Sequence, residues 1–110
     1  MDKLTITYSW FVFHVGDAVR IKTMEEFEED FKIDDSGGVE CPGYFNPKMK
    51  YMCGQVVHIS DIKGKSIFTE EGIERNREDG DYWSISPSMI LPADWKEKEI
   101  SMNDWEQMII

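Results

Sequence analysis

Val15-Gly16-Asp17-Ala18-Val19-Arg20-Ile21-Lys22-Thr23-Met24-Glu25-Glu26-Phe27 is the stretch on which the reading of this chain turns. Gly16-Asp17 is a turn signal. Residues 18–22 then read as a strand, with Val19 and Ile21 on one face and Arg20 and Lys22 on the other. The period changes at Thr23. Thr23 and Glu26 have the spacing of a capping box, in which the hydroxyl accepts from the third backbone N–H and the glutamate reaches back. Met24, Phe27 and Phe31 follow at helical spacing with acids between them. The spacing predicts a short amphipathic helix over 24–31, anchored by Phe27 and Phe31 and acidic on its outer face. The early acids also suit the positive end of the helix dipole.

On the N-terminal side, residues 4–13 are rich in Thr, Tyr, Ile, Val and Phe and read as one strand. On the other side, residues 34–38, Asp-Asp-Ser-Gly-Gly, form a turn-rich loop. Asn46-Pro47 looks like a cap with proline at the first helical position, predicting a helix of about two turns over 47–53 closed by Gly54. Residues 55–59 read as a strand, 61–65 as a polar turn, and 66–69 as a further strand. Residues 70–80 read as a loop, and Asp79-Gly80 is a hairpin signal leading into a strand over 82–85. Ser86-Pro87-Ser88-Met89 looks like a single helical turn before extended chain at 90–92. Ser101-Met102-Asn103-Asp104 is a weaker cap, and Met102, Trp105, Met108 and Ile109 would line one side of a short terminal helix.

Three of these pieces are similar to small SH3-like barrels of the KOW, Mib/Herc2 and phage type. They are the opening "V-G-D-x-V-R-I" at residues 15–21, the "G-x-V-V-x-I" strand at 54–59, and the run at 82–92. In the last, an aromatic-bearing strand enters a short helical turn and a final apolar strand. The resemblance covers about residues 13–92 and implies an α+β fold: an SH3-like small β-barrel with a helical insert between its first strands and a short C-terminal helix. Residues 1–110 then form a single domain, with the insert at about 23–53 and a helical tail at 93–110. The insert reads as a graft that the barrel does not need for closure, held by Phe27 and Phe31. Barrels of this class commonly bind peptides or nucleic acid.

Charge sets the functional expectation. The formal balance is −10 over 110 residues, and residues 25–40 hold eight acids against Lys32 alone. Such a surface repels nucleic acid and anionic membrane and attracts basic protein surfaces. The hydrophobic fraction of 41% and aromatic fraction of 13% argue for a folded core. The longest apolar run, residues 10–13, is far short of a membrane span. With no leader pattern, the expected location is cytoplasmic, where Cys41 and Cys53 stand as free thiols rather than a disulfide.

Site chemistry is weak by comparison. Cys41, Cys53, His14 and His58 match no zinc spacing, and residues 34–37 lack the ligand run of a calcium loop. His58 reads as a surface strand residue, and no nucleophile stands near His14 in sequence. No glycine-rich loop enters a helix to cradle phosphate. The lysines at 48, 50, 63 and 65 are scattered among aromatics and acids, so no direct nucleic-acid site is expected. These readings predict a non-enzymatic acidic protein-binding module without metal or cofactor, monomeric or a small homo-oligomer. The expected partner is a protein with a basic surface, such as a nucleic-acid-binding enzyme. An inhibitor from a virus or mobile element, blocking a host defence nuclease, fits this description. The contact would be made by Glu25, Glu28, Glu29, Asp30, Asp34 and Asp35. The alternative is an adaptor or assembly subunit holding a peptide on Tyr44, Tyr51, Tyr82 and Trp83.

Overall fold

In the computed structural model, residues 4–9, 11–76 and 80–95 are described. Strands β1 (Thr5–Tyr8) and β2 (Phe11–His14) form an antiparallel hairpin. Strand β3 (Ala18–Ile21) follows the turn at Gly16 and leads into helix α1 (Met24–Asp30). A 3-10 helix, Pro47–Met52, precedes strands β4 (Val56–Lys63) and β5 (Ser66–Thr69). A second 3-10 turn, Pro87–Met89, delivers strand β6 (Ile90–Pro92). The four-stranded antiparallel sheet has the order β5-β4-β3-β6. The fold is therefore a small α+β domain with two antiparallel sheets.

The strand expected over 4–13 is a hairpin instead. The chain reverses between Tyr8 and Phe11, and Ser9 takes φ 57°, a left-handed conformation usually left to Gly or Asn. Ile6 faces Phe13 across the pair, and both are buried. The turn expected over 61–65 is narrower. Strand β4 runs to Lys63, because a bulge between Ile59 and Asp61 changes the parity of its inward side chains. Val57 and Ile59 are buried before the bulge and Ile62 after it, so Asp61 stays on the outer side. The strand expected over 82–85 is reduced to two isolated bridges, Arg75↔Tyr82 and Ile67↔Ile85. The second leaves residues 85–92 passing from the β5 edge to the β3 edge of the sheet.

The insert is a larger part of the core than a graft would be. Phe27, Val39, Phe45, Met49 and Met52 are at most 1% exposed and join one cluster with Val19, Ile21, Ile59 and Ile90. The Phe27 and Phe45 rings lie 4.7 Å apart. Phe31, the other expected anchor, is only half-buried. The second helix has 3-10 rather than α geometry; Asn46 Oδ1 accepts the Lys48 N–H at 2.9 Å to cap it. Gly38 makes room for Tyr44: a Cβ there would lie 2.0 Å from the Tyr44 hydroxyl and would displace it. Lys22 departs from the expected outward position. The ladder ends at Ile21, and Lys22 is 5% exposed with its N–H on the Met89 carbonyl at 2.9 Å. The terminal helix expected over 101–110 lies outside the described residues.

Phe27→Ala should lower the unfolding free energy by about 3–5 kcal/mol, the usual cost of emptying a buried aromatic site. Phe31→Ala should cost clearly less. Urea denaturation of both variants checks this, and equal losses would show that the two anchors are equivalent.

Candidate binding surface

The N-terminal end of α1 is fixed by a shared carboxylate. Thr23 Oγ1 accepts the Glu26 N–H at 3.3 Å, and Glu26 Oε1 accepts the Thr23 N–H at 3.0 Å. The same carboxylate receives both arms of the Arg20 guanidinium, at 2.5 and 2.9 Å. Such fork-to-fork pairs are geometrically selective as well as strong. The guanidinium holds the Glu26 carboxyl down at about 2 against an ordinary 4.5, with burial opposing and the Thr23 backbone assisting.

With the inner face of α1 held by Phe27, the outer face carries charge. Glu25, Glu28 and Glu29 are exposed at i, i+3 and i+4, which places them side by side about one turn apart. Asp30 is exposed too but turns toward Lys22, whose Nζ lies 3.7 Å from its Oδ2. The Lys22 ammonium also sits 5.5 Å from the Phe31 ring centre and 6.0 Å from that of Tyr8. A depression of about 340 Å³ beside α1 is lined by these groups together with Phe11, Glu29 and Trp95.

Of the two loop acids, Asp35 is exposed, whereas Asp34 is engaged within its own loop. Its Oδ1 accepts from the Ser36 N–H at 2.9 Å, the Ser36 hydroxyl at 2.6 Å and the Gly38 N–H at 2.9 Å. Its Oδ2 accepts the Tyr44 hydroxyl at 2.6 Å. These four donors, the Ser36 and Tyr44 hydroxyls foremost, hold its carboxyl well below the usual range. Asp34 is thus a loop organiser, while Glu25, Glu28, Glu29 and Asp35 face outward.

The four aromatic residues expected to hold a peptide divide into two places. Tyr44 belongs to the 34–38 loop through Asp34. The other three gather around residues 73–75. Tyr51 donates its hydroxyl to the Ile73 carbonyl at 2.8 Å, Tyr82 bridges Arg75, and the Trp83 N–H donates to the Glu74 carbonyl at 2.6 Å. Two features escaped sequence reasoning. Glu74 is 3% exposed, and its carboxylate accepts the Thr69 hydroxyl at 2.7 Å and the Thr69 N–H at 3.2 Å. His58 lies exposed on β4 as expected, but its Nδ1 is 2.6 Å from Glu71 Oε2 while its N–H donates to Glu71 Oε1 at 2.8 Å. The Glu71 hydrogen bond raises the His58 pKa and lowers that of Glu71. Nothing in the spacing of thirteen residues announces that pair.

Cys41 is a buried free thiol and Cys53 a half-buried one, whose pKa burial pushes up. Among the described residues, no three His, Cys, Asp or Glu side chains converge as metal ligands, and no helix is long and apolar enough to cross a membrane. Comparison with known proteins finds no matching family model, no matching curated protein and no matching solved structure.

Two pH effects follow. Glu26 is more acidic folded than unfolded, so its ionised form favours folding. That contribution is complete above the ordinary 4.5 and is lost as pH falls toward about 2. Glu26→Gln should therefore cost on the order of 2 kcal/mol at neutral pH and flatten the acid limb of the stability profile. Urea melts from neutral to strongly acid pH measure both, and an unchanged acid limb would rule out this role. Separately, the His58 imidazole should titrate above the ordinary 6.5 by NMR, and Glu71→Gln should lower its midpoint. A midpoint indifferent to that substitution would show that the ion pair is not formed in solution.

Proposed function

We propose that this protein is a non-enzymatic binding module whose α1 face occupies a basic surface of another protein, of the kind that normally holds nucleic acid. We infer that its scaffold is a small barrel of the SH3-like type. The four-stranded sheet, the Ile67↔Ile85 bridge and the short 3-10 turn into β6 support that architecture. One observation carries the functional reading. Glu25, Glu28 and Glu29 are presented outward on a helix whose opposite side is fixed by Phe27 in the core and by the Arg20–Glu26 fork. Exposed surface charges that contribute little to folding, as at Glu25 and Glu28, are available for recognition. At about 1.5 Å of rise per residue, Glu25, Glu28 and Glu29 place roughly one charge per 2–3 Å along the helix, sparser than the one per ~1.7 Å of duplex DNA but of the same order over a short span.

The mechanism is steric and electrostatic. The whole-chain balance of −10 draws a basic partner in from a distance, and the stripe on α1 sets the contact. Asp35 extends the acidic surface beyond the helix, and Asp34 supports it by shaping the loop. No step requires a metal, a nucleophile or a cofactor. A defence nuclease of a host cell is one partner with the required surface.

The test uses a fluorescent oligolysine peptide as a basic probe, with anisotropy read at low and high salt. Glu25→Lys with Glu28→Lys should weaken binding by at least about tenfold at low salt. The control, Glu70→Lys with Asp94→Lys, makes the same change in net charge away from α1 and should have a markedly smaller effect. Equal losses in the two variants would reduce the interaction to bulk charge and defeat the assignment to α1. Binding that survives high salt would defeat the electrostatic mechanism.

A further inference from the structure

The β1–β2 hairpin has two outer edges, and the structure treats them differently. The Val15 N–H donates to the Leu4 carbonyl at 2.9 Å, so that pair is hydrogen-bonded across the hairpin. By the two-residue alternation of antiparallel ladders, Ile6 with Phe13 and Tyr8 with Phe11 are hydrogen-bonded pairs as well. Thr5 and Thr7 therefore direct their backbone N–H and C=O groups away from β2. On β2 the corresponding outward residues are Val12 and His14. At His14 that edge is closed: its N–H donates to Asp17 Oδ2 at 2.8 Å, and its carbonyl accepts the Asp17 N–H at 3.0 Å.

The β1 edge opens onto a groove. A cavity of about 580 Å³ runs along all four residues of β1, with Pro42-Gly43, Ser84 and Ser86-Pro87-Ser88 as its far wall. The wall's hydroxyls are already committed: Ser86 Oγ and Ser88 Oγ donate to the Pro42 carbonyl at 2.6 and 3.1 Å. Among the described residues of the lining, Lys65 is the one that is charged. The groove thus offers a row of backbone donors and acceptors on one side and a mostly apolar wall, with Lys65 beside it, on the other.

We propose that the outer edge of β1 is a second binding site that takes an extended segment of a partner protein as an added antiparallel or parallel strand. Among the described residues no backbone partner bonds the outward groups of Thr5 and Thr7, and strand edges open in this way are templates for a mode of recognition in which main-chain pairing gives affinity and alternate side chains give selectivity. The segment has apolar side chains at alternate positions, facing Pro42 and Pro87, and an acidic residue beside Lys65. A second copy of this chain is the poorer occupant, because each copy brings a net charge of −10 to the contact. The site is independent of the acidic face of α1 and stands whether or not that face binds a basic partner.

Amide hydrogen exchange on the full chain tests this, with an acetylated and amidated Thr-Val-Thr-Val-Thr-Glu peptide as probe. In the free protein, Ile6 and Tyr8 should exchange slowly and Thr5 and Thr7 quickly; saturating peptide should slow Thr5 and Thr7 and leave the other two unchanged. Thr7→Pro removes an outward N–H without touching the β2 ladder and should weaken the peptide by about tenfold. Thr7→Val should bind normally, and methylation of alternate peptide amides should reproduce the loss. Thr5 and Thr7 already protected in the dilute free protein would show that the chain covers its own edge, overturning the proposal. Protection that appears with protein concentration alone would assign the edge to a second copy and overturn it equally. If Thr7→Pro does not fold, the exchange pattern of the unmodified chain decides.

Discussion

The carboxylate of Glu26 is the point on which the architecture turns. It closes the capping box of α1 through Thr23 and anchors the helix to β3 through Arg20. One side chain thus ends a strand, starts a helix and sets the angle between them. A surface ion pair would be worth little for this, because holding two long side chains in one geometry costs about what the attraction returns. Here the cost is lower. The two groups are shielded, with side chains 19% and 26% exposed, and the Thr23 backbone already places the carboxylate.

From that joint the helix delivers Phe27 onto Phe45, and the insert is drawn into the core instead of resting upon it. The chain between α1 and β4 contributes Val39, Phe45, Met49 and Met52 to the same cluster as the sheet. This division of labour leaves Glu25 and Glu28, on the outer side of α1, little part in folding. A residue that folding does not use can be selected for contact. The Asp34 loop shows the opposite case, where a carboxylate inside an acidic run is consumed by three donors from Ser36 and Gly38 and a fourth from Tyr44.

What was legible in the sequence was what is local. The Thr23 and Asn46 caps and the Pro87 turn are settled by residues within a few positions of each other, and each forms as its spacing predicts. The hairpin over residues 4–14 was not legible, because Ser9 takes a left-handed turn conformation without the Gly or Asn that usually signals it. The β4 bulge was hidden for a related reason: a change of parity looks like a loss of strand pattern in a single chain. The candidate surface was readable as a composition, and the exposure of Glu25 and Glu28 agrees with it. The commitments of Asp34 to Tyr44 and of His58 to Glu71 were not, since their partners lie ten and thirteen residues away.

The Arg20, Thr23 and Glu26 joint also bears on descent. Its members stand at a strict spacing of three, so Arg-x-x-Thr-x-x-Glu is a compact signature. Losing any one strands the others: an unpaired guanidinium, an uncapped helix, or a carboxylate without its counter-charge. Drift at these positions should therefore be concerted, with triplets conserved or replaced as sets. Glu25 and Glu28, exposed beside it, stand outside that joint and can diverge one at a time. In a diverged homologue, the joint would be the durable mark of kinship and the exposed positions beside it the part that varies.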